Sequence, residues 1–151
     1  MIYILAGLFT LLGLYNLFFV SKLKIRVIIS KTDLAVYGMV VGVFIIYHLI
    51  FRPNILNTLT IGLAIIFWSF SSNIGRGFDE NFVYTNKMNP FVNKKLKISE
   101  IKAASFSRAG GKLLLTLDFK MANVQDKQRF KLKDEKSLVK ILKNQKINLI
   151  N

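Results

Sequence analysis

Residues 2–20 read IYILAGLFTLLGLYNLFFV, a run of 19 positions without one charged side chain. A helix rises 1.5 Å per residue, so the run reaches about 28 Å, close to the hydrocarbon thickness of a bilayer. It reads as a membrane helix. A cleaved signal peptide needs a basic segment ahead of its apolar one. Nothing before Lys22 is charged, so the span is expected to be retained.

Two further spans follow. Leu34 to Phe51 (LAVYGMVVGVFIIYHLIF) is uncharged, and Ser30, Thr32 and Asp33 ahead of it suit a helix start. Arg52-Pro53-Asn54 breaks the chain, and a third span covers about 55–71, opening ILNTLTIGLAIIFWSF. Pro53 sits where a short turn between antiparallel helices would place it, so spans two and three read as a helical hairpin.

The whole chain of 151 residues combines 52% hydrophobic residues with a net charge of +14, and its mean hydropathy is +0.41. Soluble domains seldom show both. Dividing the chain at Gly75 separates the two properties. Residues 1–75 carry six charged side chains (Lys22, Lys24, Arg26, Lys31, Asp33 and Arg52), and residues 76–151 carry the other 24. The expected organisation is a three-helix transmembrane region, 1–75, followed by a basic cytoplasmic domain, 76–151.

The absence of Cys excludes disulfides, thiolate metal sites, iron–sulfur clusters and a cysteine nucleophile. With one His, His48, and eight carboxylates, acid–base dyads and metal sites are hard to assemble. No catalytic residue, metal ligand or cofactor is expected, and the chain does not read as an enzyme. The spans hold no Asp, Glu, Lys or Arg to mark an ion or proton route.

Orientation follows from basic residues. The first connection carries Lys22, Lys24, Arg26 and Lys31 against Asp33, whereas the second carries Arg52 alone, so the first is expected to be cytoplasmic. That reading places Met1 and the Arg52 turn outside, the tail to Asn151 inside, and Trp68 and Phe70 at the inner interface as aromatic anchors. Lys22 to Val27 alternates basic and apolar residues. One side could face anionic headgroups and the other dip toward the acyl chains, so Lys22, Lys24, Arg26 and Lys31 are the candidate lipid-binding residues. Ordinary positive-inside charge explains them equally well.

Gly38 and Gly42 place two glycines on one helix face, a candidate helix-packing or homo-oligomer surface, although glycine is common in membrane helices anyway. Asn16, Asn57, Thr58 and Thr60 are candidates for hydrogen bonds between helices. His48 beside Tyr47 invites a pH-sensing role, and an interfacial His without a partner acid is the simpler account.

Residues 76–151 hold 17 Lys or Arg against seven Asp or Glu, a net +10, yet retain regular apolar positions. Leu113, Leu115, Leu117, Phe119 and Met121 alternate with Leu114, Thr116, Asp118 and Lys120, a period of two that predicts a strand. Phe130 and Leu132 predict a second strand, and Phe82 to Thr85 and Leu96 to Phe106 two more. Turns are expected at Ala109-Gly110-Gly111 and Asn123 to Lys127, and a loop at Asn89-Pro90 and its flanks. After Asp134 and Glu135, Leu138, Ile141 and Leu142 share one helix face, with Lys140 and Lys143 near its end. The expected tail is a small α+β domain, an antiparallel sheet of about four strands with one C-terminal helix. Its cations are scattered and no RNA-recognition or helix-turn-helix pattern accompanies them, so nucleic acid is not an expected partner. Gly75-Arg76-Gly77 and Gly110-Gly111 lack the context of a phosphate loop and read as turns.

Gly75-Arg76-Gly77-Phe78-Asp79-Glu80, then Val83-Tyr84-Thr85-Asn86 and Ile98-Ser99-Glu100-Ile101, resemble the pleckstrin-homology-like (bacterial PH) domain of small membrane proteins of low-GC Gram-positive bacteria. The resemblance covers residues 75–145, and four strands are about half of the seven in a full pleckstrin-like barrel. It implies a few membrane helices ahead of a short sheet capped by a C-terminal helix, and Arg76, Gly77, Asp79 and Glu80 as the junction between the two. Relatives of this type occur as self-immunity proteins beside leaderless bacteriocins, and no catalytic residue comes with them.

Two functional classes follow. One is a bacteriocin immunity protein in the bacterial cell membrane, with the anionic inner leaflet and a cationic bacteriocin peptide as partners. The other is a membrane scaffold or accessory subunit of a transport assembly, whose cytoplasmic domain binds a protein partner or anionic lipid, with the sheet edge as a possible surface.

Overall fold

A computed structural model describes residues 1–89, 91–121 and 124–150. Pro90 of the expected loop, Asn123 of the expected turn and the terminal Asn151 lie outside the described residues.

Three long helices come first, α1 (Ile2–Val20), α2 (Lys31–Phe51) and α3 (Ile55–Ile74). Each is long and apolar enough to cross a membrane. α2 begins three residues ahead of the expected Leu34, because Ser30 and Asp33 close a capping box. The Ser30 hydroxyl accepts from the Asp33 amide at 3.1 Å, and the Asp33 carboxylate accepts from the Ser30 amide at 2.7 Å. Arg52 ends α2 in the left-handed conformation at φ 44°, and the Asn54 side chain caps α3 by accepting from the Leu56 amide at 2.9 Å.

The helices pack unequally. α1 and α3 lie close because Gly13 leaves room for Phe67, whose ring carbon would stand 2.5 Å from any Cβ placed there. Tyr3 also donates to Asn57 at 2.9 Å. α2 buries no residue. It meets α3 where Phe44 covers Gly62 and where Asn73 donates to the Tyr37 hydroxyl at 2.6 Å.

The remainder forms two four-stranded sheets. The first takes β1 (Ile25–Arg26), β2 (Gly77–Phe78), β3 (Phe82–Thr85) and β4 (Lys94–Lys97) in antiparallel order. The second has the order β7-β6-β5-β8, from β5 (Ile101–Ala109), β6 (Lys112–Phe119), β7 (Gln125–Lys131) and β8 (Asn148–Ile150). β8 runs parallel to β5. Helix α4 (Glu135–Asn144) lies between β7 and β8 in sequence. Both sheets and α4 enclose one core that includes Ile25, Phe78, Ile98, Leu115, Phe130 and Leu138.

Four strand expectations are corrected. Among the described residues the tail contributes seven strands, not about four, and the first connection adds an eighth. Leu96 to Phe106 is not one strand. Ile98 and Ile101 both face the core while three residues apart, which a period of two forbids, so a 3₁₀ turn at Ile98–Glu100 sends β4 and β5 into different sheets. Residues 125–127 belong to β7 rather than to a turn, because the inward positions Asp126 and Gln128 are polar yet fully buried. Leu132 and Met121 lie outside the strands and are exposed. Gly110 and Gly111, at φ 57° and 70°, make the two-residue turn that joins β5 to β6.

Gly77 stands in β2, not in a turn, with φ 146° and the Ile25 carbonyl oxygen 2.2 Å from any added Cβ. Gly77→Ala is therefore expected to destabilise the full-length protein by at least about 2 kcal/mol. Gly38→Ala, which meets nothing within 4 Å, should leave it unchanged. Thermal unfolding in detergent, read at both positions, checks the pair.

Candidate functional site: the junction and its basic cleft

The connection after α1 is tied into the sheet domain. The Lys24 amide donates to the Phe78 carbonyl at 2.9 Å, and Val27 to that of Arg76 at 3.3 Å. The Ile28 amide donates to the carbonyl of Arg129 at 2.7 Å. Leu23 and Ile25 are buried, Leu23 against Phe19 and Tyr84 and Ile25 in the main core. The expectation that these apolar residues dip toward acyl chains is corrected, since protein covers them.

The basic residues of the connection divide. Lys22 lies over the Phe18 ring, 4.3 Å from its centroid. Lys24 pairs with Glu80. Arg26 lines a shallow groove with Lys131, Lys133 and Asp134, and Lys31 opens α2 and is exposed.

A buried polar joint fixes the helices to the sheet domain. Asn16 Oδ1 accepts from the Asn93 backbone amide at 2.7 Å, and Asn93 donates its side-chain amide to the Ser72 carbonyl at 3.0 Å. Trp68 donates its indole N–H to the Phe91 carbonyl at 2.6 Å. Asn16 thus bonds the 91–93 segment and not another helix, a further correction. Asn57 does bridge helices, whereas Thr58 and Thr60 bond carbonyls of their own helix or its cap, Asn54 and Leu56. Among the described residues a Cβ added at Gly38 or Gly42 would meet nothing within 4 Å, and close helix packing occurs at Gly13 and Gly62 instead.

The junction residues take separate tasks. The Arg76 guanidinium donates to Asp126 Oδ1 at 2.7 Å and to the Lys127 carbonyl at 3.0 Å. The second Asp126 oxygen accepts from Gln128 at 2.7 Å, and Gln128 also donates to the Tyr84 carbonyl at 3.1 Å. Asp79 accepts from the Glu80 amide at 2.7 Å in the β2–β3 turn. Glu80 reaches the connection after α1 through Lys24, whose hydrogen bond and charge hold its carboxyl below the usual glutamate range. Such a shift stabilises above the ordinary glutamate pKa and fades as pH falls through the folded value. Because Glu80 is exposed, solvent screens most of it.

An open cleft of about 630 Å³ lies beside this junction. The connection and the start of α2 supply Val27, Ile28, Ser30, Thr32 and Asp33. Arg76, Lys87 and the outer face of the second sheet, with Leu114, Gln125, Lys127 and Arg129, supply the rest. The β6–β7 register sets Leu114 opposite Arg129 and Thr116 opposite Lys127. Sequence reasoning missed this cleft. Its signal was the alternation of Lys127, Arg129 and Lys131 with buried partners along β7. Among the described residues no group of His, Asp or Glu could hold a metal ion.

Removing one partner of a buried ion pair leaves the other uncompensated. Asp126→Ala, which strands the Arg76 guanidinium, is expected to cost about 3–5 kcal/mol, while Glu80→Gln should leave stability unchanged. Chemical unfolding of the two variants beside the parent chain measures the contrast.

Comparison with family models, with curated proteins and with solved structures finds no match to this chain.

Proposed function

We propose that this is a multi-pass, non-catalytic protein of a bacterial cell membrane that protects its host from a cationic, leaderless bacteriocin. The observation that carries the placement is the β1–β2 pairing. A shared sheet requires the connection after α1 and the tail to lie on one side of the bilayer, and both are basic, which favours the cytoplasm. Three crossings then leave Met1 and the Arg52 turn outside. Lys22, Arg26, Lys31 and cations of the sheet face an anionic inner leaflet, each contributing about 1 kcal/mol near the surface.

Self-protection rests on the resemblance at residues 75–101 and on this placement. A peptide made without a leader is membrane-active from synthesis, so the producer's inner leaflet is the first bilayer face it meets. A basic domain fastened beneath that leaflet competes for the same anionic lipid. Seven strands in the described tail, β2 to β8, support the resemblance better than four would. A second reading, a scaffold or accessory subunit of a transport assembly, draws on α2. None of that helix's residues is buried, and among the described residues a Cβ at Gly38 or Gly42 would meet nothing within 4 Å, as suits a helix that meets another membrane helix or a second copy.

Two outcomes are expected. A phosphatase fused after the Arg52 turn should be active and one fused to the C-terminus inactive, and the reverse pattern refutes the orientation. Expression of the full chain should raise the resistance of a sensitive strain to cationic leaderless peptides, while residues 1–75 or 76–151 alone should not. Unchanged killing by a panel of such peptides rejects immunity in favour of the scaffold.

A further inference from the structure

We propose that the cleft between the base of α2 and the outer face of β6 and β7 binds the phosphate of an anionic phospholipid. The inference rests on the membrane reading given above and adds a defined site to it. Four cations, Arg76, Lys87, Lys127 and Arg129, line the cleft against one carboxylate, Asp33. That carboxylate is occupied, because one of its oxygens accepts from both the amide and the hydroxyl of Ser30 at 2.7 Å. Arg76 is likewise committed to Asp126. Lys87, Lys127 and Arg129 have no ion-pair partner among the described residues, so three cations converge on a concave surface with their charge unspent.

The other walls indicate what kind of anion fits. The first turn of α2, its capping box already closed, forms one wall of the cleft. Val27, Ile28 and Leu114 give it an apolar side, which a free phosphate would leave unused and a glycerol backbone would cover. The volume of about 630 Å³ is in the range of sites for small organic ligands. The cleft also adjoins the start of an apolar helix none of whose own residues is buried, so a lipid seated by its phosphate can lay its chains along α2.

The test uses the full-length protein, reconstituted in mixed phosphatidylcholine–phosphatidylglycerol vesicles and then extracted gently. Native mass spectrometry counts the lipids that remain bound. Lys127→Gln with Arg129→Gln changes two outward-facing strand residues and is expected to lower phosphatidylglycerol retention roughly tenfold. The control, Lys136→Gln with Lys140→Gln on exposed positions of α4, removes the same charge and should retain lipid as the parent does. Equal loss in both pairs, no loss in either, or equal retention of phosphatidylcholine overturns the proposal. So does displacement of the lipid by millimolar inorganic phosphate, which would make the ligand a soluble anion. Carbonate extraction separates the two levels. A chain that stays in the membrane but keeps no phosphatidylglycerol refutes the site alone, and one that carbonate strips away refutes the membrane reading with it.

Discussion

The antiparallel pairing of Ile25–Arg26 with Gly77–Phe78 constrains everything else in this structure. A two-residue strand has little stability of its own. It holds because Ile25 and Phe78 enter the common core and because Gly77 lets the backbones approach. With that pairing in place, the connection after α1 becomes the edge of a sheet, the ends of α1 and α3 are drawn to one level, and α2 must start from a short strap that crosses β7 at Arg129.

The energetics divide by location. The apolar core of the two sheets and α4 supplies the driving force, at about 25 cal/mol per Å² of buried apolar surface. The joint with the helices is polar, and each hydrogen bond through Asn16, Asn93, Ser72 and Trp68 adds only about 1 kcal/mol net. Leaving any of them unmade inside the joint would cost more, so these bonds act mainly by excluding other arrangements. The Arg76–Asp126 pair is of the same kind, since a buried ion pair contributes little net stability while its rupture is expensive. α2 lacks such anchors apart from its cap, Tyr37 and Phe44, and it is the helix that intramolecular packing restrains least.

The three helices and most of the tail's inward residues were legible because hydropathy and period were unmixed there. Leu113, Leu115 and Leu117 announce β6, and Leu138 and Leu142 announce α4. β7 was half hidden because Asp126 and Gln128 occupy inward positions, so its polar pattern imitates a turn. β1, β2 and β8 were hidden by length, since two or three residues carry no period. The meaning of Leu23 and Ile25 was hidden by ambiguity, because alternation beside a long apolar helix suits a lipid surface and a sheet edge equally. The cleft was beyond sequence reading altogether. Its cations come from β7, from residue 76 and from residue 87, and only the sheet register and the strap at Ile28 bring them together.

The central claim is that the connection after α1 is a strand of the sheet domain and not a loop lying on lipid. Hydrogen–deuterium exchange of the full-length protein in detergent reads this at the amides of Lys24, Val27 and Ile28, which donate to Phe78, Arg76 and Arg129. The account predicts that these amides exchange slowly, in step with those of β2 and β3. Exchange at the rate of an open loop, while β5 and β6 stay protected, would contradict it.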